Sequence, residues 1–181
     1  MTETPKPPLQ LQPLQNVYAS HGLPLPAIER IDGADVPEPY KSLLVQNGDM
    51  TPTLENFHHC RIHLNVIRKQ TKNNRYLREV VLLLDGSEKP VEYGAIEIDL
   101  GLFTPEAQQA IVDGQRPLGS ILRDFAISHT SHPKAFLRVI ADEVIGKALS
   151  TGKSSVLYGR ENTLYDSKQR SLAEIVEILP L

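Results

Sequence analysis

Alternation of hydrophobic and polar residues predicts two β-hairpins, one in the middle of the chain and one at its C-terminal end. In the middle, residues 75–84 and 91–100 are rich in aliphatic residues, and Asp85 and Gly86 give a turn signal between them. The second half of 75–84 is apolar at consecutive positions, which is typical of a strand buried on both faces. Near the end, residues 156–164 and 171–179 flank a polar turn.

Shorter periodic segments predict helices around these hairpins. Thr104 and Pro105 begin a helix that Gly114 ends, because proline is tolerated in the first turn and glycine favours the C-terminal cap. Further short helices are predicted at 39–45, 51–58, 117–122 and 142–149. Residues 62–68 alternate with period two, and 134–141 fit a strand or a helix. Strands in hairpins with helices between them predict an α+β fold with a mainly antiparallel sheet.

Proline is concentrated at the N-terminal end, where eight of the 14 prolines lie within the first 40 residues. Proline fixes φ and removes a backbone donor, so we expect residues 1–39 to be a proline-rich N-terminal arm without much helix or central strand. Val17 and Ile28 are apolar and leave open that part of the arm packs against the domain. The ordered domain is then expected to span residues 40–181.

Composition limits the class of protein. Of the 181 residues, 40% are hydrophobic and 23% are charged, which suffices for one domain with a core. A net charge of −3 gives no general attraction to nucleic acid or to an anionic membrane. No apolar run approaches the roughly 20 residues of a membrane span, and no signal-peptide core precedes the domain. With a single cysteine, Cys60, the sequence predicts no internal disulfide and a cytoplasmic protein.

Two short clusters invite assignment as metal or phosphate sites. His58, His59, Cys60 and His63 lie close in sequence, but the segment changes to strand alternation within the cluster, so the side chains do not converge on a zinc ion. Gly152, Lys153 and Ser154 resemble the end of a phosphate-binding loop without its first glycine at the required spacing. We therefore predict no metal site and no nucleotide site.

Charged residues inside two apolar strands are the better candidates for a binding site. Arg78 interrupts an apolar strand, and a buried charge is costly unless it is paired. It either forms an ion pair, with Glu79 or a neighbouring strand, or binds a ligand carboxylate with its planar donors. Glu177 presents the same choice in the terminal strand. Glu174 would face the opposite side of that strand, so the pocket carboxylate depends on the register.

The order of short motifs along residues 40–180 resembles the chorismate lyase (chorismate–pyruvate lyase) family. The matching segments are Leu43-Leu44, Asp49-Met50-Thr51 with Leu54-Glu55, Arg75 to Val80 with Asp85-Gly86, Arg116-Pro117-Leu118-Gly119, Gly159-Arg160, and Glu177 to Pro180. The resemblance implies a single α+β domain with an antiparallel sheet of about six strands, helices packed on it and an enclosed pocket.

The resemblance also implies a reaction, the cleavage of chorismate to 4-hydroxybenzoate and pyruvate without metal or cofactor, which would feed quinone biosynthesis. Arg78 would bind the ring carboxylate, and Glu177 would bind the retained hydroxyl and is the candidate base. Met50 and Thr51 would line the substrate site, together with Leu118, whose backbone contacts the carboxylate, and Gly119. The partner is then a small aromatic carboxylate, and a monomer is compatible with the sequence.

One departure from the family favours an alternative. Tyr93 and Gly94 are followed by Ala95, where the family has an arginine, and Arg138 or Arg160 are the possible replacements for that cation. The alternative is a non-catalytic binding module for an aromatic carboxylate. The same fold serves as the effector-binding domain of some bacterial transcription regulators.

Overall fold

Seven antiparallel strands form one sheet in residues 9–181, the part of the chain that the computed structural model describes. The strands are β1 (Ile28–Ile31), β2 (Ile62–Lys72), β3 (Arg75–Leu84), β4 (Pro90–Asp99), β5 (His129–Ile140), β6 (Val156–Asp166) and β7 (Ser171–Leu179). Their order across the sheet is β1-β5-β6-β7-β4-β3-β2. The helices are α1 (Gln12–His21), α2 (Tyr40–Leu44), α3 (Met50–His58), α4 (Pro105–Asp113), α5 (Leu118–Asp124) and α6 (Glu143–Ala148). The predicted α+β class is confirmed, with seven strands in place of about six.

Both predicted hairpins are present as β3–β4 and β6–β7. The ambiguous segment 134–141 belongs to β5, which begins earlier, at His129. β4 pairs with β7, so that Gly94 lies opposite Glu177 and the middle hairpin is joined to the terminal one. The two charged positions picked out in the sequence therefore lie in the same part of the sheet.

The N-terminal segment is part of this domain. α1 buries Leu14, Val17 and Tyr18 against the sheet, and β1 pairs with β5, with Ile28 opposite Val139. Proline does not prevent this, because Pro13 lies in the first helical turn, where its missing N–H is not needed. Residues 9–39 of the expected arm are therefore part of the domain, and the expected boundary near residue 40 is not present. Residues 1–8 of the expected arm lie outside the described residues.

Successive side chains of each strand point to opposite faces, and each face has its own cover. On one face, α1 and α6 pack on a cluster that includes Tyr93, Ala95 and Val176. On the other face, α2 and α3 pack on one cluster and α4 and α5 on a second, and a cavity lies between these two clusters. Within residues 9–181, no helix is long and apolar enough to cross a membrane.

The packing of α1 predicts that its core residues stabilise the whole domain. Leu14 is fully buried, so Leu14→Ala should lower the free energy of unfolding by about 2 to 5 kcal/mol in a urea titration. Leu23, just beyond α1, is 47% exposed and is the matched control, for which we expect a change within about 0.5 kcal/mol. Equal, small effects of both substitutions would contradict the placement of α1 in the core.

Candidate functional site

A cavity of about 60 Å³ lies between the sheet and the N-terminal ends of α3 and α5. β3, β4, β6 and β7 supply its floor with side chains of one face. All six residues that the sequence nominated line this cavity, namely Met50, Thr51, Arg78, Leu118, Gly119 and Glu177. The structure thus brings the nominated residues together, and their individual roles remain predictions.

Gly94 gives the floor of the cavity its shape. It lies opposite Val80 on β3 and opposite Glu177 on β7. A Cβ atom at position 94 would come 3.0 Å from Cγ2 of Val80 and 3.4 Å from Oε1 of Glu92. The missing side chain therefore makes room for the carboxyl group of Glu92 over the centre of the floor.

Arg78 is a buried cation without an anionic partner. Its side chain is among the largest fully buried ones, and its Nε and Nη1 atoms have no hydrogen-bond partner among residues 9–181. Burial lowers the pKa of Arg78, yet a guanidinium remains charged in proteins. The expected pairing with Glu79 does not form, because adjacent strand residues point to opposite faces. An unpaired buried charge is costly, so Arg78 is suited to bind an anion in the cavity.

Glu177, and not Glu174, is the pocket carboxylate. Oε2 of Glu177 accepts a hydrogen bond from Nε of Arg160 at 2.6 Å, and both side chains are buried. Glu174 lies outside the cavity, where it accepts hydrogen bonds from Thr163 at 2.6 Å and Ser171 at 2.8 Å. The register of β7 against β4 thereby decides the question that the sequence left open.

Arg160 connects the sheet to residues 45–49, the loop between α2 and α3. Besides the bond to Glu177, its guanidinium donates to the backbone carbonyls of Leu44, Gln46 and Gly48 at 3.3, 2.8 and 3.0 Å. Asp49, which lines the cavity, ends this loop and precedes α3. Arg160 therefore fixes both the pocket carboxylate and the loop beside it.

The cation that the family would have at position 95 is not replaced in the cavity. Ala95 is completely buried on the other face of the sheet, in the cluster that contains Tyr93 and Val176. A side chain at this position would thus point away from the cavity. Arg138 is partly exposed, 3.8 Å from Glu29, and Arg160 is already paired, so neither supplies a free cation. Arg78 is the cation among the described residues that line the cavity, and it has no anionic partner.

Glu92 is the site residue that sequence reasoning missed. It lines the cavity, it is buried, and its Oε2 atom has no hydrogen-bond partner in the described part of the chain. Burial raises the pKa of Glu92 well above its ordinary value, and the negative charge of Glu177 adds to this effect, while Arg160 opposes it. The signal available in the sequence was a charged residue two positions before Gly94, on the same face of an apolar strand.

His129 holds the other side of the 45–49 loop. Its Nε2 lies 2.9 Å from Oδ2 of Asp49, and its Nδ1 lies 3.1 Å from the carbonyl oxygen of Ile127. Both ring nitrogens face oxygen acceptors, an arrangement that favours the doubly protonated, charged form of the ring. The hydrogen bond to Asp49 raises the pKa of His129, and partial burial opposes this shift.

The cluster of histidines around Cys60 does not assemble. His63 is partly exposed and pairs with Asp85 at 2.7 Å and Glu88 at 3.1 Å. Across residues 9–181, no group of three or more His, Cys, Asp or Glu side chains is arranged so that it could hold a metal ion.

Comparison with known proteins extends the fold assignment. No protein-family model and no curated protein matches the chain. PhnF from Mycobacterium smegmatis matches with 13% identity and a TM-score of 0.57 over 73% of this chain and 63% of its own length, so this chain spans less than two thirds of PhnF. The effector domain of PhnF matches with 12% identity and a TM-score of 0.56, over 73% of this chain and 88% of the domain.

A third structure is the ligand-binding domain of a proposed GntR-family transcriptional regulator from Bordetella bronchiseptica. It has 12% identity and a TM-score of 0.51, over 67% of this chain and 90% of that one. Identities this low show a shared fold alone. They show that these structures share the fold of this chain, and they do not indicate lyase activity.

The raised pKa of Glu92 predicts a pH-dependent gain in stability for Glu92→Gln. Above the ordinary glutamate pKa of 4.5, Glu92 ionises in the unfolded protein but keeps its proton in the folded one. The free energy of unfolding of the wild type therefore falls as the pH rises. The variant has no such penalty, and its advantage should grow by about 1.4 kcal/mol per pH unit up to the raised pKa. Urea titrations of both proteins between about pH 5 and pH 8 measure this difference in the free energy of unfolding. A difference that does not change with pH would contradict the prediction.

The raised pKa of His129 predicts that the contribution of its contact with Asp49 also falls as the pH rises. A raised histidine pKa gives stability that is complete below its ordinary value of 6.5 and is lost as the pH rises through the raised value. His129→Gln should therefore cost about 1 kcal/mol near pH 5 and less at alkaline pH, as measured by denaturant unfolding. His132→Gln, an exposed histidine of the same strand, should have little effect at either pH.

Proposed function

We propose that this chain is a small-molecule binding domain whose ligand is an aromatic carboxylate held by Arg78. The observation that carries the proposal is the buried guanidinium of Arg78 at the wall of an internal cavity, with two nitrogen atoms that have no partner in residues 9–181. A ligand carboxylate would accept from these donors in the forked geometry that arginine favours.

The remainder of the lining suits an aromatic ring. Aliphatic side chains from β2, β3, β4, β6 and β7 surround the cavity, namely Leu64, Val80, Leu82, Ile96, Leu164 and Ile175. A mostly apolar wall with a few polar groups is the usual composition of a small-molecule site. The neighbours of the same fold include an effector domain and a ligand-binding domain, which agrees with a binding function.

The size of the cavity adds a condition. Its volume of about 60 Å³ is far below the roughly 300 to 1,000 Å³ of typical ligand pockets, so a ring can enter only if the lining moves. Asp49, which belongs to the loop 45–49 held by Arg160 and His129, lines the cavity outside helices and strands, as does Pro117 before α5. Ligand entry would then proceed by displacement of this loop.

Chorismate lyase activity is the second candidate, and the carboxyl groups of Glu92 and Glu177 favour it. In this reaction the bond between the ring carbon and the enolpyruvyl oxygen breaks, a neighbouring ring C–H loses its proton, and the enolpyruvate gains a proton to become pyruvate. Glu177 would be the base and Glu92 an acid, with Arg78 as the anchor. Chorismate carries two carboxylates, however, and the cavity offers one unpaired cation, which favours binding of a monocarboxylate.

Replacement of Arg78 tests the anchoring role. Arg78→Met should weaken the binding of 4-hydroxybenzoate, measured by calorimetry, by about tenfold or more, because the carboxylate loses its charged donors. The variant without ligand should be at least as stable as the wild type, since an apolar chain replaces an unpaired buried charge. Arg75→Met, an exposed position of the same strand, is the control and should bind normally. Unchanged binding by Arg78→Met would contradict the proposal.

The same proteins separate binding from catalysis. Each is incubated with chorismate, and 4-hydroxybenzoate and pyruvate are followed by chromatography. Binding of 4-hydroxybenzoate without turnover agrees with a binding domain, and stoichiometric formation of both products, lost in Arg78→Met, would establish the lyase instead. If the wild-type protein neither binds 4-hydroxybenzoate nor turns over chorismate, both candidates fail.

A further inference from the structure

Glu92 is a buried carboxyl group that neither the sequence motifs nor the anchoring role of Arg78 explains. It is 5% exposed and lines the cavity, and across the sheet it pairs with Leu82. Its Oε1 atom lies over Gly94, at the centre of the floor, and its Oε2 atom has no hydrogen-bond partner within residues 9–181. The group is therefore placed to contact a ligand.

The charges around Glu92 are already assigned to other partners. Arg160 directs Nε to Glu177 and its terminal nitrogens to backbone carbonyls of the 44–48 segment. Asp49, the other acid of the lining, is paired with His129. Glu92 thus has a second carboxylate as its neighbour and no cation of its own, and both burial and that neighbour raise its pKa.

Glu92 and Arg78 both line the floor, at positions displaced along the strands. Arg78 lies opposite Ile96, and the carboxyl group of Glu92 lies beside Gly94, two residues before Ile96 in β4. Two strand residues correspond to about 7 Å between backbone positions. This offset allows a single aromatic ring to direct one substituent to each of the two side chains.

We infer that Glu92 is an un-ionised carboxylic acid that donates a hydrogen bond to an uncharged oxygen of the ligand, so that the site selects a monocarboxylate with a hydrogen-bond acceptor at its far end. This inference rests on the proposed function, because Arg78 must hold the carboxylate for the far end to reach Glu92. A hydroxyl, ether or carbonyl oxygen meets the requirement. An alkyl group of the same size leaves the carboxyl group without a partner.

Two acids of nearly equal shape test the inference. 4-Methoxybenzoate has an ether oxygen that can only accept a hydrogen bond, and 4-ethylbenzoate has a methylene group at that position. Calorimetric titration of both with the full chain measures their affinity ratio. We expect wild type to prefer 4-methoxybenzoate by about two- to tenfold, the range of one net hydrogen bond.

Two substitutions at position 92 assign the preference to this residue. Glu92→Gln retains a donor of the same shape and should keep the preference, whereas Glu92→Leu removes the donor and should bind the two acids about equally. Equal binding of both acids by the wild type, or an undiminished preference in Glu92→Leu, would overturn the inference and leave the function proposed above intact. If neither acid binds to the wild type or to Arg78→Met, the proposed function fails and the inference fails with it.

Infrared difference spectroscopy of wild type against Glu92→Gln keeps the inference testable if Glu92→Leu does not fold. A C=O band of an un-ionised carboxyl group at neutral pH, present in wild type and absent from Glu92→Gln, would agree with it. A wild-type spectrum without that band would overturn it.

Discussion

The buried guanidinium of Arg160 is the contact on which the geometry of the cavity depends. It joins β6 to β7 through Glu177, and it joins the sheet to the end of α2 and to the 45–49 loop through the carbonyls of Leu44, Gln46 and Gly48. Carbonyls in a covered loop need donors, and here a side chain supplies what no helix or strand provides. Because one residue satisfies both partners, the position of Glu177 and the position of the loop are coupled. Movement of the loop must break hydrogen bonds to the same guanidinium that orients Glu177.

The arrangement of charges supports the selectivity that we propose for the cavity. Glu177 is neutralised by Arg160, and Asp49 is paired with His129, so neither requires a ligand. Arg78 remains as a positive charge without an anionic partner among the described residues, and Glu92 adds no charge in the un-ionised form that we infer for it. A neutral apolar molecule would leave Arg78 unpaired, and a dianion would bring one negative charge too many towards Glu177. A monoanion would neutralise the charge of Arg78. This preference for a single negative charge follows from the charges of the lining and does not depend on the cavity volume.

Much of the sheet could be predicted from the sequence, because alternation and turn residues specify hairpins locally. Helix α1 could not be predicted in this way, because the high proline content of residues 1–39 as a whole argues against a helix. Within α1 itself the single proline lies in the first turn, where a helix tolerates it. The site was predictable where a motif marked it, as for Arg78 and Glu177. The face of Ala95, the choice between Glu174 and Glu177, and the presence of Glu92 in the cavity all depend on the pairing of distant strands. That register is a tertiary property, which no local pattern contains.

The N-terminal helix also explains why Arg78 is available to a ligand. Glu79 follows it in β3 and is equally buried, but its side chain points to the face covered by α1. There Glu79 accepts a hydrogen bond from the hydroxyl of Tyr93 at 2.9 Å and lies 2.8 Å from Nε2 of His21, at the end of α1. These contacts satisfy the carboxylate on its own side of the sheet, so that it makes no demand on Arg78. The segment that the proline content would place outside the domain therefore completes the opposite face, and the separation of the two charges across the sheet leaves the guanidinium free for an anion in the cavity.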